Sequence, residues 1–323
     1  MKIVITGASG QDGIFLIDKI LKNTEAEIYC CTRNKNNFDF EKLKYLDSDY
    51  DIARIKLIEI NFQEYEKVYK FFSDVRPDFI FNMMGPSSVN KFIENPEKMK
   101  NITINGFNNI TKSLIATRNF CNFYQASSSE MYGYESKKGF DEFSEFKPNT
   151  SYAEAKHYVH MKSIQLEEKY EWNIVSGIMF NHESEFRDSN FLIMKLINNV
   201  LEIKENKKIK IDLPSLNIAR DWSYAKDICD GVFELTVNNF SGSYVIGSGV
   251  STSIKDIASY IFNKINLDYE EFINVDINKL RGGEPMNVVS NPEKIKSDIG
   301  WETKLSIFEV VEKMYDYKLL KKG

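Results

Sequence analysis

The chain opens with an apolar pentapeptide, Lys2-Ile3-Val4-Ile5-Thr6, that runs straight into Gly7-Ala8-Ser9-Gly10-Gln11-Asp12-Gly13. The amphipathic stretch Ile14-Phe15-Leu16-Ile17-Asp18-Lys19-Ile20-Leu21 follows at once. No other feature constrains the fold as much. Glycines on a GxxGxxG spacing let backbone amides approach a ligand closely, and the helix N-terminus behind them favours an anion. A glycine triplet alone also makes ordinary tight turns. Its place between a clear strand and a clear helix argues for the pyrophosphate of a dinucleotide.

Strand-like runs recur from Ala26, Arg54, Asp78, Asn119 and Asn173, separated by stretches with helical periodicity. Apolar strands alternating with helices predict an α/β fold, a Rossmann-type doubly wound parallel sheet with helices on both faces. Beyond about Asn181 the elements shorten, and runs such as those from Gly242 and Phe272 sit between helices. The expected division is therefore a nucleotide-binding domain over 1–180 and a smaller α/β lobe over 181–323, interleaved because no clean linker separates them. The polar segment from Asn34 to Asp51 reads as a loop with a short helix, and the tail from Leu305 as an amphipathic helix with basic last turns.

Composition removes several classes. A net charge of −5 on 323 residues lacks the basic footprint of a general nucleic-acid binder. The four cysteines, Cys30, Cys31, Cys121 and Cys229, form no CxxC pair and read as buried thiols. No run approaches the roughly 18 apolar residues that span a bilayer, and no secretory leader precedes the first strand, so a cytoplasmic protein is expected.

The second strand ends in Thr32-Arg33-Asn34-Lys35. An NAD site usually carries Asp or Glu here for the ribose hydroxyls. Arg33 and Lys35 offer positive charge instead, which suits the 2′-phosphate of NADP. Asn61 and Phe62, after the third strand, are placed to touch adenine. Met83, Met84 and Gly85 end the fourth strand under the ribose and phosphate.

Tyr152 and Lys156 are four apart in a helical segment and so share a face. An ammonium beside a phenol favours the phenolate, so Lys156 is expected to lower the Tyr152 pKa. Upstream, the strand Asn122-Phe123-Tyr124-Gln125-Ala126 runs into Ser127-Ser128-Ser129-Glu130. A hydroxyl and a carboxylate at a strand's C-terminal end lie where open α/β sheets place their sites.

The glycine loop, the serine cluster and the Tyr-Lys pair resemble the extended short-chain dehydrogenase/reductase family of nucleotide-sugar enzymes over nearly the whole chain. Four strings resemble its GDP-mannose 4,6-dehydratase branch in particular: Thr6 to Gly13, Asn181-His182-Glu183-Ser184, Ala219-Arg220-Asp221-Trp222, and Arg281 with Glu284. The resemblance implies conversion of a GDP-hexose to its 4-keto-6-deoxy form with NADP. Tyr152 would take the C4 hydroxyl proton while hydride leaves C4, and Ser128 would align that hydroxyl. Glu130 would remove the C5 proton and assist loss of water, and Lys156 would tune Tyr152 and hold the nicotinamide ribose. His182 would lie beside the cofactor. Lys195, Arg220 and Arg281 would meet the diphosphate of the GDP-linked sugar, with Ser87, Asn181 and Asn190 near the sugar and phosphates. Glu284 would pair with ribose or guanine.

The chain departs from that branch at three places. Ser88 replaces a histidine, Glu185-Phe186 replace Pro-Arg before Arg187, and Asn34 replaces the second residue of an Arg-Arg pair. They turn the expected sugar from GDP-mannose toward GDP-N-acetylglucosamine, as on a route to legionaminic acid. The rival on the same scaffold is a GDP-sugar epimerase or C4 oxidoreductase, which generally lacks an acid at the position of Glu130. His157, His160 and Glu154 have metal-like spacing, but a helix covering the cofactor accounts for them, so no metal is expected. The helices from Pro96 and Ser151 are those that such enzymes use to dimerise, so the expected assembly is a homodimer, with a tetramer as the larger alternative.

Overall fold

A computed structural model describes residues 1–86, 92, 94–136, 138–205, 209–280 and 282–322. The first half alternates as the sequence predicts. In order come β1 (Lys2–Thr6), α1 (Gln11–Asn23), β2 (Glu27–Thr32), α2 (Phe40–Leu46), β3 (Ile55–Glu59), α3 (Tyr65–Val75) and β4 (Phe79–Asn82). Then follow α4 (Pro96–Ala116), β5 (Asn122–Ser128), α5 (Ser151–Tyr170) and β6 (Ile174–Met179). The chain continues through β7 (Asn181–Glu183), α6 (Leu192–Lys204), β8 (Ile211–Leu213), β9 (Ala219–Tyr224), α7 (Ala225–Val237) and β10 (Gly242–Ile246). It closes with β11 (Ser251–Ser253), α8 (Ile254–Asn263), β12 (Ile273–Val275), β13 (Asn287–Val288), α9 (Glu293–Ile299) and α10 (Ile307–Lys322).

Seven strands form one parallel sheet in the order β10-β6-β5-β4-β1-β2-β3. The period-two alternation of each strand sends its side chains to two apolar layers. Val4, Ile80, Phe123 and Ile174 face α3, α4 and α5 through Phe72, Phe107, Ile110 and Val159. Ile3, Ile5, Phe81 and Val175 face α1 and α7 through Phe15, Ile228 and Phe233. Such a sheet has its ligand crevice at the C-terminal ends of its strands, where the order reverses between β1 and β4.

The seventh strand comes from beyond Asn181. The run from Gly242, grouped in sequence with the smaller lobe, pairs in parallel with β6, register Gly242 to Val175. A short apolar run carries no local sign of which sheet it will join. The remaining strands build two small sheets, β11-β9-β13 with β7 also on β9, and β12 with β8. Buried residues of α6, α8 and α10 belong to the same continuous core as α1 and β1. Among the described residues no helix is long and apolar enough to cross a membrane.

Candidate active site

The glycine loop is shaped for close approach. Gly7 has φ +70°, and a side chain there would press on the carbonyl of Met83 at 2.9 Å. A Cβ on Gly13 would come within 2.5 Å of the Ala8 carbonyl oxygen. Gly10 caps α1 without a side-chain hydrogen bond, which leaves the first-turn amides without a capping side chain among the described residues. Gly7, Gly10, Gln11, Asp12 and Gly13 all line a cavity of about 1510 Å³. A pyrophosphate fits what this cradle offers, which is amides without a capping side chain and no Cβ in the way.

The same cavity is lined by Arg33 at the end of β2, by Asn61 and Phe62 after β3, and by Met83, Met84 and Gly85 after β4. Asn34 and Lys35 are not on its wall. Asn34 accepts from the Asn36 amide at 2.9 Å, and the Lys35 main-chain N–H donates to Glu59 at 3.1 Å.

Side chains of α1 join this loop to β7. Gln11 donates to the His182 carbonyl at 3.1 Å and accepts from Ser184 at 2.7 Å. His182 Nε2 lies 3.2 Å from Asp12, and its Nδ1 is 2.7 Å from the Phe180 carbonyl. Burial pushes the His182 pKa down, but the Asp12 carboxylate outweighs it and holds the imidazole above its ordinary value. Burial likewise raises Asp12, and His182 overcomes that and holds it low.

A second cavity of about 530 Å³ shares Asp12, Met83, Gly85 and Arg187 with the first, and the reactive groups sit on its wall. Ser128 ends β5 and accepts from the Glu130 amide at 3.3 Å, a turn that brings Glu130 back beside it. Thr150 caps α5 through the Ala153 amide at 3.1 Å, and the next turn presents Tyr152 and Lys156. They are 9% and 7% exposed. The Ser128 hydroxyl favours the ionised form of the Tyr152 phenol. Lys156 Nζ donates to the Ala126 carbonyl at 2.9 Å and stands 6.0 Å from the Tyr152 ring centroid.

The electrostatics differ from the expected tuning. The Tyr152 phenol is pushed up to about 12 by burial, against which Ser128 and Arg187 pull down while Glu130 and Asp12 push further up. Lys156 is itself lowered to about 8 by burial, with Asp12 opposing. Spacing shows that the two side chains share a helix face. It cannot show that desolvation of a buried phenol exceeds the pull of an ammonium bonded elsewhere.

The second cavity also receives Asn181 and His182 from β7, Asn190 and Lys195 from the entry to α6, and Arg220 from β9. Arg220 pairs with Glu284, and both are more than nine-tenths buried. A buried ion pair is costly to desolvate and weak evidence for stability, so its place on a cavity wall fits ligand recognition better. Asn190 folds back on Asp188 at 2.8 Å. Ser87, Ser88 and Arg281 lie outside the described residues. Among the described residues no group of His, Cys, Asp and Glu is placed to hold a metal.

Sequence reasoning passed over Arg187 as a binding residue. It lies 3.2 Å from buried Glu183, stacks 3.5 Å from the Phe191 ring centroid and lines both cavities. Its place three residues after Ser184 was the available signal. Glu185 and Phe186, read as departures bearing on the sugar, line the first cavity instead.

A model of the family described as GDP-mannose 4,6 dehydratase matches residues 4–314. GDP-mannose 4,6 dehydratase 1 of Arabidopsis thaliana is 25% identical over 324 residues, covering 98% of this chain and 89% of that protein. The dTDP-glucose 4,6-dehydratase DesIV of Streptomyces venezuelae, solved with NAD, superposes with a TM-score of 0.87 at 16% identity, covering 100% and 98% of the two chains. RMD of Pseudomonas aeruginosa, solved with NADPH, gives 0.79 at 16% identity, covering 98% of each. At such identities the two structures show a shared fold.

Proposed function

Because the chain belongs to the GDP-mannose 4,6 dehydratase family, we propose that it dehydrates a GDP-linked hexose to the 4-keto-6-deoxy sugar. The observation that carries this reading is Glu130 on one cavity wall with Ser128, Tyr152 and Lys156. An epimerase or C4 oxidoreductase needs the hydroxyls and the lysine but no carboxylate there.

A nicotinamide dinucleotide, when bound, supplies the acceptor for the C4 hydride and the donor that later reduces C6. The residues do the proton work. Ser128 holds the C4 hydroxyl, and the Tyr152 phenolate oxygen takes its proton. A C4 carbonyl acidifies the C5 hydrogen. Glu130 takes that proton and returns it to the C6 hydroxyl, which leaves as water; when C6 is reduced, C5 regains a proton from the Tyr152 phenol, which returns to the phenolate. Lys156, anchored on Ala126, holds the ribose of the dinucleotide beside Tyr152. Asn181, Lys195 and Arg220 hold the diphosphate and sugar, and Glu284 orients Arg220. We infer NADP because Arg33 lines the first cavity and no acid stands at the end of β2. The sugar reading rests on the sequence departures from the GDP-mannose 4,6-dehydratase branch, Ser88 among them, and on no residue that reads the acetamide, and it places GDP-N-acetylglucosamine ahead of GDP-mannose.

Mass spectrometry after incubation with a panel of GDP-sugars tests the function. The expected product is one water lighter and carries a ketone. An unchanged mass with altered stereochemistry would replace this reading by epimerisation. Glu130→Gln should slow elimination by roughly 10²- to 10⁴-fold, the usual worth of a general base. Elimination at the wild-type rate would remove Glu130 from its role.

A further inference from the structure

The first cavity has a wall that neither the glycine loop nor β2 supplies. Lys42 of α2 and Lys318 and Lys321 of α10 line it together with Arg33. Aromatic packing brings them there. Phe186 stacks on Phe15 of α1 at 5.2 Å, and Tyr45 of α2 and Tyr317 of α10 meet Phe186 edge-on at 6.0 and 5.6 Å. Tyr45 and Tyr317 also meet each other at 4.9 Å. Lys42 Nζ lies 5.8 Å from the Phe186 centroid, and Lys321 Nζ 5.7 Å from that of Tyr317. Phe15 stands one turn beyond Gln11, so the cluster adjoins the glycine loop.

The acids on this wall are already engaged. Asp12 meets His182 at 3.2 Å, Asp39 accepts from the Glu41 amide at 3.0 Å, and Asp188 accepts from Asn190. Glu185 accepts from Tyr224 at 3.1 Å, and burial holds its carboxyl above the usual range. None of Lys42, Lys318 and Lys321 has an ion-pair partner within 4.0 Å among the described residues. Burial lowers the Lys42 pKa, and Lys318 adds to the depression although Asp39 and Asp188 oppose it. Unpaired ammonium groups crowded on a partly enclosed wall favour an anion.

Resting on the nicotinamide reading above, we propose that Lys42 and Lys318, with Lys321 beside them, bind the 2′-phosphate of NADP, so that the C-terminal helix sets cofactor choice. The pyrophosphate already has the first-turn amides of α1. Lys42 belongs to the helix that directly follows the β2 loop, and Arg33 and Asn37 line the same cavity. In a doubly wound sheet the adenosine ribose lies at that strand end. Lys35, the nearer lysine in sequence, is not on this wall.

Equilibrium titration of NADPH and NADH, after carried-over nucleotide is removed, tests the proposal. The Lys42→Gln/Lys318→Gln variant should lose about tenfold or more in NADPH affinity, as expected for lost charge-assisted bonds, and keep its NADH affinity. Lys35→Gln should leave both unchanged, and circular dichroism should show each variant folded. Equal losses for the two nucleotides would place the lysines on the shared pyrophosphate and overturn the proposal. No loss, or a wild type that binds NADH as tightly as NADPH, would also overturn it while leaving the dinucleotide site intact. A wild type that binds neither would overturn the dinucleotide reading and this proposal with it.

Discussion

Tyr152 is placed where burial moves its phenol away from the ionised state it needs as a base. Ser128 and Arg187 favour the phenolate and Glu130 opposes it. The two groups that would act in succession thus disfavour each other's charge. Removing the Glu130 charge therefore lowers the Tyr152 pKa. In Glu130→Gln, the pH limb of the surviving C4 oxidation, followed in single turnovers, should move to lower pH. An unmoved limb would show that the two groups do not sense each other. His160 behaves differently. It is 1% exposed, lies 2.9 Å from Ser127 and 3.3 Å from Ser243, and burial lowers it to about 4, with His157 adding to the shift. Above the ordinary imidazole range it is neutral in both folded and unfolded chains. As pH falls, the unfolded chain takes up the proton first, so stability is lost between about 6.5 and 4, by an amount on the order of 3 kcal/mol. Denaturant melts across that window should show the loss, and His160→Gln should flatten it.

At the scale of elements, the strands of the parallel sheet were readable because each is a short apolar run between turn-forming residues, whereas the short strands β7, β8, β9, β11 and β13 were not. The helical spacing from Ser151 marked α5, whose cap, Thr150, only the structure shows. The destination of β10 was not readable. Tyr244, Val245 and Ile246 are buried against β6, and α7, which precedes them, stacks Phe233 on Phe81 at 6.4 Å. A fragment of residues 1–180 would leave β6 as an open edge and uncover the apolar face of β4 and β5. Each large side chain so exposed forfeits about 1.5–3 kcal/mol. The fragment should aggregate or lack a cooperative thermal transition. A sharp transition in circular dichroism would show that the two lobes are separable after all.

Across the whole molecule, the cavities read as those for cofactor and sugar nucleotide meet at Asp12, Gly85 and Arg187, which ties the glycine loop to the second lobe. On the outer side of α5, Tyr158 and Met161 are 43% and 38% exposed, an apolar pair one turn apart on a helix named for dimerisation. The homodimer expected through α4 and α5 is testable. Light scattering should give at least twice the chain mass, and Tyr158→Asp with Met161→Asp should halve it. A monomeric wild type would rule the interface out. Short spacings sufficed for the strand-helix alternation, the glycine loop and, each by itself, the Ser128-Glu130 and Tyr152-Lys156 pairs, because these are properties of neighbours along the chain. Arg187 between two chambers, the Arg220 and Glu284 pair, and the lysines that α10 brings to a cavity begun at residue 7 depend on packing between distant segments. So does the raised Tyr152 pKa, because desolvation is set by everything that surrounds a group and by no residue in particular.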